Sequence, residues 1–205
     1  MATRHGVELM RYWDLDYLRD DDLKPRSTNT EYIEQIRHKL EEAVKIRLRA
    51  DVPVGSFLSG GLDSSAVLGI AAKHSSQPVR AFTVTFDEAG YDEEAIARET
   101  AARVGADFQP ILLKQSDFAD HITDAIWHAE TLDTNSRGVA RYLQSRVVND
   151  SGYKVILSGD GSDEIFAGYG HVKQDLRLNH TKQELENTLP NSTPAFLASI
   201  QQTLG

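Results

Sequence analysis

Four short runs rich in apolar, β-branched and aromatic residues punctuate the chain, at 54–58, 79–86, 108–113 and 155–157. The segments between them carry helical periodicity, so strands alternate with helices. A tight turn can join antiparallel strands, whereas parallel neighbours need a crossover of a dozen residues or more, usually a helix. The alternation therefore predicts an α/β fold, a parallel sheet with helices on both faces. Before the first run, Thr30 is expected to cap a helix whose apolar face carries Ile33, Ile36, Leu40 and Val44, and Pro53 closes it. A second helix runs through Ile96 and Ala101 to Val104 and stops at Gly105. A third is expected from a Ser116 or Asp117 cap to about Glu130, with Phe118, Ile122, Ala125 and Ile126 on one face. After a loop at 131–135, Val139, Tyr142, Leu143, Val147 and Val148 mark a fourth. Residues 1–29 read as a lead-in or linker, with Trp13 expected to pack on the domain.

Composition narrows the classes of function. The net charge of −9 argues against a nucleic-acid-binding surface, although a few amides and one metal ion can offset the phosphates of a nucleotide locally. Cysteine is absent, which removes disulfides, zinc-thiolate sites and thiol nucleophiles. The seven histidines show no metal-ligand spacing and read as surface or helix-face residues. No apolar stretch approaches the length of a membrane span, and the charged N-terminus does not read as a signal peptide, so no membrane partner is expected and a cytoplasmic location is the default.

The first apolar run ends in Ser59-Gly60-Gly61-Leu62-Asp63-Ser64-Ser65, and a helical pattern starts at Ser64. Strand, glycine turn and helix in that order present unpaired N–H groups and the positive end of a helix dipole, a ready-made anion site. A Gly-Gly pair in this position can also be only a turn. Ser-Gly-Gly-x-Asp-Ser is the more specific pattern, with hydroxyl donors and a carboxylate that, beside phosphate, calls for a cation such as Mg²⁺. The chain holds neither a Walker GK[ST] nor a G-x-G-x-x-G. A loop of this kind suits a whole pyrophosphate as leaving group, which suggests AMP transfer more than γ-phosphoryl transfer.

The fourth run leads into Ser158-Gly159-Asp160-Gly161-Ser162-Asp163-Glu164, three carboxylates within five residues. Such a cluster is either a solvated acidic turn in which Asp163 caps a helix, or a site that needs a cation to relieve repulsion. Ligands of open α/β sheets bind beyond the carboxyl ends of the strands, so both loops and the second strand's end at Val84 are expected at one crevice. Asp63 and Asp163 could then share Mg²⁺, with Asp160 or Glu164 facing an organic substrate. Arg137 is either a substrate-carboxylate ligand or a surface arginine that starts a helix.

Together the two loops resemble the synthetase, or PP-loop, domain of glutamine-dependent asparagine synthetases, over about residues 30–172. Val52-Pro53-Val54-Gly55 leading into Leu58-Ser59-Gly60-Gly61-Leu62-Asp63-Ser64-Ser65 is similar to that family's pyrophosphate loop. Leu157 to Glu164 followed by Phe166-Ala167-Gly168-Tyr169 is similar to its second signature, and Glu130-Thr131 and Tyr142-Leu143-Gln144-Ser145-Arg146 also fit. The resemblance implies an adenine nucleotide alpha hydrolase-like fold and an amide-forming ligase. Mg-ATP would adenylate the side-chain carboxylate of aspartate with release of pyrophosphate, and ammonia would then displace AMP. It further implies that Leu58, Val84, Ser158 and Gly159 border the adenosine. Ser59, Gly60, Gly61, Ser64 and Ser65 would hold the pyrophosphate, and Asp63 and Asp163 would bind Mg²⁺. Asp160 stands in the place of a glutamate that acts as general base on the incoming ammonia, and is one methylene shorter. Glu164 and Arg137 are the candidates for contact with the acid substrate. The loop at 133–137 is more compact than in the bacterial enzymes.

The 205 residues hold no amidotransferase domain, so ammonia is expected from a separate glutaminase domain or subunit. Residues 173–205 look like the start of a truncated helical half. Two other readings stand beside the leading one. A specialised-metabolism relative, such as a β-lactam synthetase, would adenylate a different carboxylate; a non-catalytic nucleotide-binding module would bind ATP without turnover.

Overall fold

A computed structural model of the chain describes residues 2–3, 6–7, 9–14, 27–87, 93–132, 136–172 and 174. Much of the lead-in, the tip of the acidic segment after Phe86, the centre of the 131–135 loop and nearly all of 173–205 fall outside these residues. Contacts divide the chain into two compact units, Met1–Glu42 and Ala43–Gly205. In the first, β1 (Ala2–Thr3) pairs antiparallel with β2 (Gly6–Val7), and α1 (Asn29–Arg47) begins. One sequence expectation fails here. Thr28, not Thr30, caps α1: its hydroxyl accepts from the Glu31 N–H at 3.3 Å while its own N–H donates to the Glu31 carboxylate at 2.7 Å. That reciprocal pair is a capping box, and it sets the cap two residues ahead of the expected one. Trp13 is 69% exposed.

The second unit contains the α/β fold. Its elements are β3 (Val54–Phe57), α2 (Leu62–His74), β4 (Arg80–Phe86), α3 (Glu94–Val104), β5 (Asp107–Leu113), α4 (Gln115–Ala129), α5 (Arg137–Asp150), β6 (Val155–Leu157) and α6 (Ser162–Phe166). All strand pairs are parallel, in the order β5-β4-β3-β6. Gly105, with φ of 69°, closes α3, because a left-handed residue there lets its N–H reach the last carbonyls of the helix. At the start of α4 the Lys114 N–H donates to the Asp117 carboxylate at 2.8 Å, so Asp117 serves the helix end from inside the first turn.

Strand alternation sorts the core into two clusters. Ala81 and Leu157 face one side, where they meet Val67, Leu68 and Ala71 of α2, Ala97 and Ala101 of α3, and Val44 of α1. Phe82 and Ile156 face the other, with Ala125 of α4 and Val139, Leu143 and Val148 of α5. Helices therefore cover both faces of the sheet, and the near-continuous apolar strands follow from burial on both sides.

Candidate functional site

The strand order places a reversal between β3 and β6. From β3 the chain moves through α2 to β4 and through α3 to β5, then returns through α4 and α5 to pair β6 on the opposite side of β3. Connections that leave adjacent strands in opposite directions open a crevice at the sheet's carboxyl edge. The two loops singled out from the sequence leave these two strands.

The loop after β3 is held by its own hydroxyls. Ser64 Oγ accepts from the Ser59 N–H at 3.2 Å, lies 3.0 Å from Ser59 Oγ and donates to the Gly61 carbonyl at 3.3 Å. Ser59 Oγ accepts from the Gly61 N–H at 3.3 Å. Gly60 turns the chain at φ of 79°, a conformation that side chains disfavour. Helix α2 then starts with Gly61 as N-cap, and the Ser65 N–H donates to the Gly61 carbonyl at 3.1 Å. The N–H groups of Leu62, Asp63 and Ser64 precede the first intrahelical bond and point out of the helix end.

The loop after β6 packs directly on this helix start. A Cβ on Gly159 would lie 2.8 Å from the Ser64 nitrogen and 2.9 Å from the Asp63 Cβ. Ser162 Oγ donates to Asp63 Oδ1 at 2.8 Å, tying the two loops together across 99 residues of sequence. The second oxygen of Asp63 has no hydrogen bond among the described residues.

A cavity of about 500 Å³ opens at this junction. Its wall includes Leu58, Ser59, Asp63, Ser64, Val84, Arg137, Ser158, Gly159, Asp160, Asp163 and Glu164. Gly60, Gly61 and Ser65 shape the loop without entering that wall. The three acids of the second loop have different surroundings. Asp160 Oδ2 accepts from Arg141 at 3.3 Å, and that guanidinium sits 4.8 Å over the Phe57 ring. Glu164 accepts from the Tyr169 hydroxyl at 2.8 Å. This bond, with some desolvation and the nearby Glu164 and Asp163 charges, raises the Tyr169 phenol above its ordinary value. Asp163 lies against Gly168, where a Cβ would collide with its carboxylate.

Sequence reasoning did not reach Arg141, Glu93, Phe86 or Tyr169 as site residues, yet all four line the cavity. The available signal for Arg141 is its spacing: it stands four residues after Arg137, on the same helix face. Gln144 follows one turn later and accepts from Arg141 at 3.3 Å.

The donor set fits a magnesium ion delivered with a nucleotide. Five carboxylates face the cavity against two guanidiniums, so added phosphates need a cation. Among the described residues no group of three or more His, Cys, Asp and Glu side chains forms an all-protein metal cage. Mg²⁺ is commonly held by one or two carboxylates with substrate phosphates and water completing the shell. Asp63 and Asp163 both line the cavity and are two of its five carboxylates.

Comparison with known proteins identifies the family. The family model described as asparagine synthase matches residues 35–203. A Penicillium rubens protein named amidase chyE is 42% identical, over 80% of this chain and 26% of that protein. Asparagine synthetase [glutamine-hydrolyzing] 1 of Bacillus subtilis is 31% identical, over 76% of this chain and 24% of its own length. The Saccharomyces cerevisiae protein of that name is 33% identical, over 82% and 34%. The chain thus spans about a quarter to a third of the length of these curated relatives. With its family model matched over most of its length and both signature loops meeting at one crevice, this chain belongs to the asparagine synthase family.

Proposed function

We propose that this chain is the ATP-binding portion of an amide-forming ligase that activates a carboxylic acid as its acyl adenylate. The observation that carries this reading is the junction of the two loops, where Ser162 grips Asp63 beside the open start of α2. On this reading the adenosine lies along Leu58, Val84, Ser158 and Gly159, at the carboxyl edge of the sheet. The hydroxyls of Ser59 and Ser64, which line the cavity, and the free amides at the start of α2 receive the pyrophosphate, with Gly60, Gly61 and Ser65 shaping the loop around it. Their donors match the charge that develops as the bond between the α-phosphorus and the bridging oxygen breaks. Magnesium, bound by Asp63 and Asp163, would supply further charge stabilisation on the phosphates. A carboxylate oxygen of the acid forms the new bond to the α-phosphorus, and pyrophosphate departs.

In the second half-reaction ammonia attacks the acyl carbon and AMP leaves with the bonding pair. Asp160 takes the proton that nitrogen must lose. Arg141 fixes the direction of this short carboxylate from the facing helix. Arg137 and Glu164, in the same wall, are placed to contact the acid substrate. The ammonia source is a glutamine-hydrolysing domain or subunit, as in the relatives whose names carry that activity. A cytoplasmic setting accords with these substrates; no described helix is long and apolar enough to cross a membrane.

Aspartate is the acid that the asparagine synthetase relatives suggest. A second reading, a specialised relative with another carboxylic acid, is favoured by the 42% identity to a protein named as an amidase. The test is exchange of labelled pyrophosphate into ATP, run with and without added acids. Acid-dependent exchange is the expected result. Nucleotide binding with no exchange under any acid would leave only a non-catalytic module.

A further inference from the structure

A second cavity, of about 610 Å³, adjoins the one described and shares Phe86, Arg137 and Ala140 with it. It lies at the same edge of the sheet, because Phe86 is the last residue of β4 and Leu113 the last of β5. Phe86 and Phe118 stack with ring centroids 6.4 Å apart and planes 25° from parallel. With Leu113 and Ala140 they form an apolar wall, while Lys114 and Arg137 supply cations, Asp87 a carboxylate, and Gln115 and Ser136 neutral polar groups. An acid held at Arg137 would therefore have its carboxylate at the junction of the two cavities and its body against the phenylalanines.

We propose that this second cavity is the acid-substrate pocket, and that its ligand is an aromatic monocarboxylic acid. The inference rests on the amide-ligase reading and names the substrate class of that site. An aryl ring matches the stacked Phe86–Phe118 surface, where aromatic contacts add to the gain from burial. Pockets of this size lined by apolar side chains with a few charged groups suit such ligands. Aspartate is a poor match. It has no ring to set against Phe86 and Phe118, and it would use only the polar part of the lining, Asp87, Lys114, Gln115 and Ser136, leaving the apolar wall uncovered.

The experiment uses the full chain and three probes: benzoate, phenylacetate and aspartate. Binding is followed by ligand-observed NMR in wild type, Ala140→Leu and Phe118→Leu, and each probe is also tested in pyrophosphate exchange. Both aryl acids are expected to bind more tightly than aspartate. Ala140→Leu, which fills the cavity, is expected to weaken them about tenfold or more, the scale set by a few methylenes in an apolar pocket. Phe118→Leu keeps the wall apolar and is expected to weaken them several-fold through loss of the ring contact. Aryl-acid binding that responds to these substitutions without any acid-dependent exchange would keep the pocket and remove the ligase reading. Exchange driven by aspartate alone would keep the ligase and overturn the pocket. Failure of both aryl acids to bind, or binding indifferent to both substitutions, also overturns it.

Discussion

At Gly159 a methyl group would stand 2.8 Å from the Ser64 nitrogen, closer than side chains approach backbone. Gly159→Ala should therefore push the second loop off the start of α2. The expected cost is about 1–3 kcal/mol, typical of overpacking. It should appear in urea unfolding together with weakened Mg-ATP binding; unaltered binding would mean that the loops need not touch. Tyr169 makes a separate prediction. Its bond to Glu164 is made with the proton in place, so the stabilisation is complete below the ordinary phenol value and is lost as pH rises through the raised one. Ultraviolet titration of wild type against Tyr169→Phe should show the missing transition above the ordinary tyrosine range, and a transition at or below that range would contradict the assignment. Residue-level detail was the least legible from sequence. Thr30 was the expected cap of α1, whereas the capping-box spacing from Thr28 to Glu31, made in the fold by reciprocal bonds, marks Thr28 instead. The Arg141–Asp160 contact joins residues 19 apart and depends on how α5 lies over the loop.

Among the elements, β4 supplies both faces of the core, Ala81 on one side and Phe82 on the other. Phe82 is wholly buried and meets Tyr153 edge-on at 5.4 Å between ring centroids. Phe82→Ala is expected to cost about 3–5 kcal/mol, the range for emptying a buried aromatic site. A urea midpoint lowered at constant slope would show it, and a loss well under 1 kcal/mol would mean that the second cluster collapses around the gap. The strands and helices of the second unit were legible, because strands buried on both faces leave short continuous apolar runs while helices leave apolar residues three and four apart. Arg80–Phe86 and Asp107–Leu113 appear close to where their apolar runs begin and end. The order β5-β4-β3-β6 was not legible. Which parallel strands become neighbours depends on the hand of each crossover and on which side chains fill each face, such as Ala81 on one side and Phe82 on the other.

At the scale of the molecule, the reversal between β3 and β6 turns two loops a hundred residues apart into one site. The sequence already implied a shared edge, since both loops follow strands of a parallel sheet, but the Ser162–Asp63 bond and the adjoining aromatic cavity emerge only from packing. A chain of net charge −9, with five carboxylates on one cavity wall, has little to attract a triphosphate except the helix start, two arginines and a shared cation. The central claim is that Asp63 and the loop after β6 form one magnesium-dependent pyrophosphate site. Calorimetric titration of Mg-ATP and of AMP into wild type and Asp63→Ala tests it most directly. Loss of a charge-assisted contact worth about 1.5–3 kcal/mol should weaken Mg-ATP about tenfold to hundredfold and leave AMP unchanged. Equal Mg-ATP affinity in the two proteins would contradict it.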